Sequence, residues 1–129
     1  MNEINQSPTY LWVGRILSGL VIAFLLFDAG GKLAKIEPVL KSMEELGLPG
    51  SSAATIGIIL LVITVMYAIP QTATLGALLL TGYLGGAVAI HLRVGNPIWT
   101  HTLFPVYVGI LLWIALSLRN PKVKELFWF

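Results

Sequence analysis

The chain contains no cysteine. That excludes disulfides, thiolate-held iron–sulfur clusters and any catalytic or redox thiol. Charge is scarce as well. Asp, Glu, Lys and Arg make up 11% of the 129 residues, where a soluble domain carries about 25%, so a water-facing surface could not be covered. Disorder is excluded by the same composition, since it requires low hydrophobicity and high charge. Here 57% of residues are hydrophobic and the mean hydropathy is +0.86. No Gly-rich dinucleotide fingerprint follows a strand and no P-loop is present, so nucleotide binding has no support. The basic residues sit at segment ends, with no basic stripe interleaved with aromatics, so the net charge of +2 does not point to nucleic acid. A mild basic excess suits a protein that meets anionic lipid. Met1 to Thr9 holds no Lys or Arg, and no small-x-small cleavage site follows the first apolar run. That run is therefore expected to stay as a helix rather than be removed.

What the chain does have is long apolar runs. A bilayer core needs about 20 mostly apolar residues in a helix. Four segments qualify, at about 10–30, 52–69, 72–92 and 102–119. The fold expected is all-α: one transmembrane domain over residues 1–129, an antiparallel four-helix bundle. Pro70-Gln71 is too short a link to cross a membrane, so the second and third segments form a hairpin. Arg93 to Pro97 is a polar loop punctuated by Gly95 and Pro97. Between the first and second segments, Ile36 to Leu46 reads as a short amphipathic helix. Val39, Leu40, Met43 and Leu46 recur at helical spacing, with Lys41, Glu44 and Glu45 opposite. Gly47 and Pro49 stop it. About three turns cannot span, so it is expected to lie at the interface.

Four spans put both termini on one side. Arg15, Arg119, Lys122 and Lys124 lie on that side, and Lys32, Lys35, Lys41 and Arg93 on the other. The count is even, so the positive-inside rule does not decide. The compact cluster Arg119, Lys122, Lys124 leans toward cytoplasmic termini. Packing is expected through small residues, because lipid tails are as apolar as Leu. The candidates are Gly82-x-x-x-Gly86 and Gly85-x-x-x-Ala89 in the third span, Ala53-x-x-x-Gly57 in the second, and the Arg15, Gly19, Ala23 face of the first. The Gly82/Gly86 stripe could equally pair two copies of the chain.

Ionisable groups within a membrane carry a functional hypothesis by default. Arg15 shares a face with Gly19 and Ala23 and is expected to point into the bundle, with snorkelling to the surface as the alternative. Asp28 and Lys32, four apart as in a helical ion pair, meet His91, Arg93 and His101 at the loop-rich membrane face. Tyr83 lies about two turns deeper than His91. This set is expected to form a polar pocket roofed by the amphipathic segment, the alternative being a solvated interface ring. By projection Asp28 lies on nearly the opposite face from Arg15, so both could line one core only if the helix bends near Gly30-Gly31. Metal and haem are disfavoured. His91 and His101 are the two His ligands available, with Asp28 a conceivable third, but no metal-ligand spacing is present.

The run from Tyr83 through Gly85-Gly86, His91, Arg93, Gly95 and Pro97, followed by His101, Pro105 and Trp113, resembles the DoxX-like family of small four-helix membrane proteins. The first segment fits as well, with Arg15, Gly30-Gly31 and Lys32-Leu33, and so does the Gly47-Leu48-Pro49 stop. The resemblance implies a bacterial inner-membrane protein. It also implies an accessory subunit in a redox-linked or stress-related system, with a membrane or soluble redox partner, rather than an enzyme on its own. A quinone is the cofactor it brings to mind. More distant look-alikes act as assembly factors for other membrane proteins, which is the rival reading.

Overall fold

The computed structural model describes residues 8–127. Among them the structure is helical, and no strand occurs. The order is α1 (Pro8–Ala34), α2 (Glu37–Glu45), α3 (Ala53–Ala68), α4 (Ala73–Arg93), α5 (Phe104–Arg119) and α6 (Pro121–Phe127). A 3-10 turn, Gly50–Ser52, leads into α3, and a π-turn, Ile98–Thr102, leads into α5. With these turns included, four helical stretches are long and apolar enough to cross a membrane: Pro8–Ala34, Gly50–Ala68, Ala73–Arg93 and Ile98–Arg119.

The bundle buries little of itself. Leu20, Ile58, Leu78 and Ile110 are all more than half exposed, and helices apolar on every face suit lipid. The inner stripe is narrow. It consists of Val21, Leu25 and Ala29 of α1, Leu60, Ile63 and Tyr67 of α3, Ala77 and Leu80 of α4, and Leu112 and Leu116 of α5. The helices pack in a ring in which α1 touches α3 and α5, and α4 touches the same two. Thus α1 and α4 form one diagonal, and α3 and α5 the other.

Only some of the small-residue stripes do the packing. Gly57 behaves as expected: a Cβ there would sit 3.1 Å from the Ala29 carbonyl oxygen of α1. Ala53 is fully buried beside it on the same face. In the third span, however, the close approach belongs to Gly76, where a Cβ would run into the Tyr67 backbone nitrogen. Gly82, Gly85 and Gly86 face open space, and Ala89 is exposed. The reason is the Pro70-Gln71 turn. It forces α3 and α4 together at their linked ends, where Gly76 lies, and Thr72 tightens it by donating to the Met66 carbonyl at 2.8 Å.

The first span departs from expectation in the same way. Its inward face is Gly14, Ser18, Val21, Leu25 and Ala29. A Cβ on Gly14 would meet the Arg119 nitrogen at 2.8 Å, whereas Gly19 has nothing near it. Arg15, one residue around the helix from Gly14, therefore faces outward, with its guanidinium 5.3 Å from the Trp12 ring centre. It does not point into the bundle. No bend at Gly30-Gly31 is needed, because Asp28 turns inward while Arg15 does not.

Candidate ligand site at the loop end of the bundle

The polar residues of the loop end fall into two layers. The outer layer is built by the loop after α4. Gly95 adopts φ +75°, a left-handed conformation that glycine adopts without strain. The reversal lets Asn96 turn back on α4, its side-chain amide 2.8 Å from His91 Nδ1. The π-turn then carries His101 over His91, with ring centres 6.3 Å apart and edge to face. Thr100 Oγ1 lies 2.8 Å from His101 Nδ1. Each imidazole thus has its Nδ1 held by a neighbouring polar group. No third His, Asp or Glu joins them among the described residues, so Asp28 does not complete a ligand set.

Arg93 also belongs to the outer layer but faces a different partner. Its Nη2 donates to the Leu46 carbonyl oxygen at 3.1 Å. That oxygen follows the last turn of α2, so Arg93 ties the amphipathic helix to the end of α4. The roof over the loop end is held by this latch and by Met43, the buried residue of α2.

The inner layer lies about 9 Å below the end of α1, judging by six residues of helix rise from Ala34. There Lys32 pairs with Asp28 on adjacent turns, and Lys32 is the more buried partner. Tyr83 packs against the core from α4. Of the seven residues singled out in the sequence, the structure joins His91 with His101 and Asp28 with Lys32, while Tyr83 packs against the core of the bundle. Arg93 goes to the α2 latch, and Arg15 stands apart on the outer surface.

Below the histidine pair runs a feature with no single-residue signal in the sequence. A groove of about 600 Å³ opens sideways between α4 and α5. Its walls include Leu84, Gly85, Val88, Gly109 and Trp113, and they are almost wholly apolar. Gly85 and Gly109 hollow it out by lacking side chains. Trp113 is fixed at its far end by donating from Nε1 to Thr81 Oγ1 at 2.8 Å, with Phe127 edge-on at 5.4 Å. At the near end, Val88 is three residues before His91 and Pro105 four after His101. On α4, about 4.5 Å of helix rise therefore separates the groove's near end from His91. Tyr83, His91, Arg93 and His101 do not line the groove itself.

The opposite end of the bundle holds a second polar group. Tyr67 of α3, fully buried, donates to the Leu112 carbonyl of α5 at 2.6 Å. Arg119 Nη2 donates back to the Tyr67 carbonyl at 2.6 Å, and its guanidinium lies 4.8 Å from the Tyr67 ring centre. These bonds close the α3–α5 diagonal. Sequence reading counted Arg119 only as a membrane-flanking charge. A Tyr inside an otherwise apolar span was the available signal, because a buried phenol requires a partner.

Comparison with known proteins adds one match. A family model described as the DoxX-like family matches residues 16–115. No curated protein and no solved structure gives a match. The matched stretch includes every loop-end residue named above and leaves out Arg15 and Arg119.

Proposed function

The chain belongs to the DoxX-like family, and from that premise we propose that this multi-pass membrane protein is an accessory subunit that holds a small lipophilic ligand, of which a quinone is the best fit. The observation that carries the reading is the apolar groove between α4 and α5 with His91, of the histidine pair, about 4.5 Å of helix rise from its near end. A quinone needs an apolar sleeve for its tail and hydrogen-bonding groups for its headgroup oxygens. The groove offers the first, and the imidazoles of His91 and His101 offer the second. Tyr83 stands about two turns deeper in α4 than His91 as a further hydroxyl. In a redox-linked system the chain would act with a membrane or soluble redox partner. A titration of a quinone analogue against the purified protein tests this. Binding is expected for wild type, and His91→Ala should weaken it about tenfold, the loss of one hydrogen bond to a headgroup at about 1.4 kcal/mol. Equal affinity for both proteins would sink the site.

A second reading has its own support. Gly82 and Gly86 present an open, small-residue surface on the outside of α4, of the kind that lets another helix approach. On this reading the chain is an assembly factor, or pairs with its own copy. A stoichiometric helical partner recovered from native membrane, with no small molecule extracted, would favour it.

For orientation we place both termini in the cytoplasm of a bacterial inner membrane. The compact cluster of Arg119, Lys122 and Lys124 beside the terminal membrane face supports this orientation.

A further inference from the structure

The far end of the α4–α5 groove is bounded by residues from three helices. Trp113 belongs to the α5 wall and donates its indole N–H to Thr81 Oγ1 on the α4 wall at 2.8 Å. The indole therefore bridges the two walls. Phe127 of α6 packs edge-on against it, with ring centres 5.4 Å apart, and lines the groove as well.

Phe127 reaches this place because α6 folds back along α5. Trp113 lies six residues before the end of α5, about 9 Å along the helix. A straight continuation of α5 would carry Phe127 away from it. Asn120 makes the reversal. Its backbone is extended, at φ −135° and ψ 105°, and its side-chain oxygen accepts from the Lys122 N–H at 3.0 Å, as a helix N-cap does. Val123, four residues before Phe127 and so on the same face of α6, is buried in the core cluster. Lys124 adds a contact to α1, its Nζ 5.3 Å from the Tyr10 ring centre. A helix of two turns has little stability of its own. These contacts hold it, and with it Phe127.

The polar groups of Trp113 and Thr81 are already used. Trp113 gives its proton to Thr81, and Thr81 gives its own to the Ala77 carbonyl at 2.8 Å. They have no further proton to offer a headgroup, so this end suits hydrocarbon. Pro105 and Ser117, the first and last α5 residues of the lining, are separated by about 18 Å of helix rise.

We propose that Trp113 and Phe127 form a stop that sets how long a hydrocarbon tail the groove accepts, with α6 as the element that holds the stop in place. The proposal rests on the ligand reading given above. A tail shorter than the groove leaves wall atoms without contacts. A longer tail must turn out past Phe127 into the bilayer, where lipid tails already supply equivalent surroundings. Affinity therefore climbs with tail length only until the groove is full.

The test titrates the purified full chain, in one detergent, with quinones that share a headgroup and carry isoprenoid tails of increasing length. Wild-type affinity should rise with length and then level off. Phe127 is exposed, so trimming it leaves the core in place. In Phe127→Ala the plateau should move to longer tails. The longest tails should bind it about threefold tighter than wild type, the return of a few dispersion contacts in the vacated space. Affinity for the shortest tail should not change. Phe127→Trp should move the plateau to shorter tails. An unchanged plateau in both variants, or wild-type affinity that climbs without levelling, overturns the stop and leaves the groove as a ligand site. No binding at any length overturns the ligand reading and the stop with it. Should a variant fail to fold, the wild type decides. A plateau-length tail with a diazirine at its tip should label the peptides of Trp113 and Phe127 on illumination. Labelling confined to other peptides contradicts the stop.

Discussion

At Gly47 the backbone stands at φ +77°, and a Cβ there would lie 2.9 Å from Arg93 Nη2. One glycine and one arginine therefore fix how α2 meets the end of α4. Gly47→Ala should cost about 1–2 kcal/mol for the left-handed backbone alone and should also push the guanidinium away from Leu46. Amide hydrogen exchange over 37–46 is expected to quicken in this variant and in Arg93→Ala, with α3 to α5 unchanged. If exchange over α2 stayed at the wild-type rate, the latch would not be what holds it. Tyr67→Phe removes one buried hydrogen bond, the one to the Leu112 carbonyl. It should lower unfolding stability by about 1 kcal/mol, measured by denaturant unfolding. These residues differ in how visible they are in the sequence. The His91, Arg93 and His101 cluster could be read from segment ends, because the antiparallel path brings those ends to one face. The Tyr67 to Leu112 bond joins residues 45 apart. Nothing in local spacing points to it.

The elements were legible as spans and much less so as surfaces. Four apolar stretches and an amphipathic segment before Gly47 follow from length, composition and period, and these the structure has. Which face of each span turns inward does not follow. In water the polar side of a helix marks its outside, but a lipid-facing helix is apolar all round, so that mark is missing. The small residues were the remaining guide, and they are ambiguous. Gly57 and Gly76 are packed, whereas Gly19, Gly82 and Gly86 are open. This separation makes a direct contrast. Gly76→Ala places a methyl against the Tyr67 backbone and should destabilise by about 2–3 kcal/mol, in the range of overpacking. Gly82→Ala meets nothing and should leave stability unchanged or raise it by up to about 1 kcal/mol through helix propensity. Denaturant unfolding of the two variants side by side checks the pair. Equal losses would mean that the α3–α4 contact is not where Gly76 puts it.

For the whole molecule, the bundle has two unlike ends. The loop end carries the Asp28–Lys32 ion pair, beneath two histidines and a latched roof. The terminal end carries Tyr67 and Arg119 across the α3–α5 diagonal. The absence of native cysteine makes the sidedness accessible, since a single introduced thiol reports alone. Ser42→Cys on α2 should react with a membrane-impermeant maleimide on intact cells, and Lys122→Cys on α6 should react only after the membrane is opened. The reverse pattern would invert the orientation and leave the bundle intact. Labelling of both from one side would contradict four spans. The groove between α4 and α5 remains the feature on which the function turns, and Gly109 lines it with only hydrogen where a side chain would be. The decisive measurement is the content of extractable isoprenoid quinone in protein purified from its native membrane, wild type against Gly109→Leu. About one quinone per chain is expected for wild type, and a severalfold loss for the variant whose leucine fills the sleeve. Equal content in both proteins, or none in either, would contradict the groove as a ligand site.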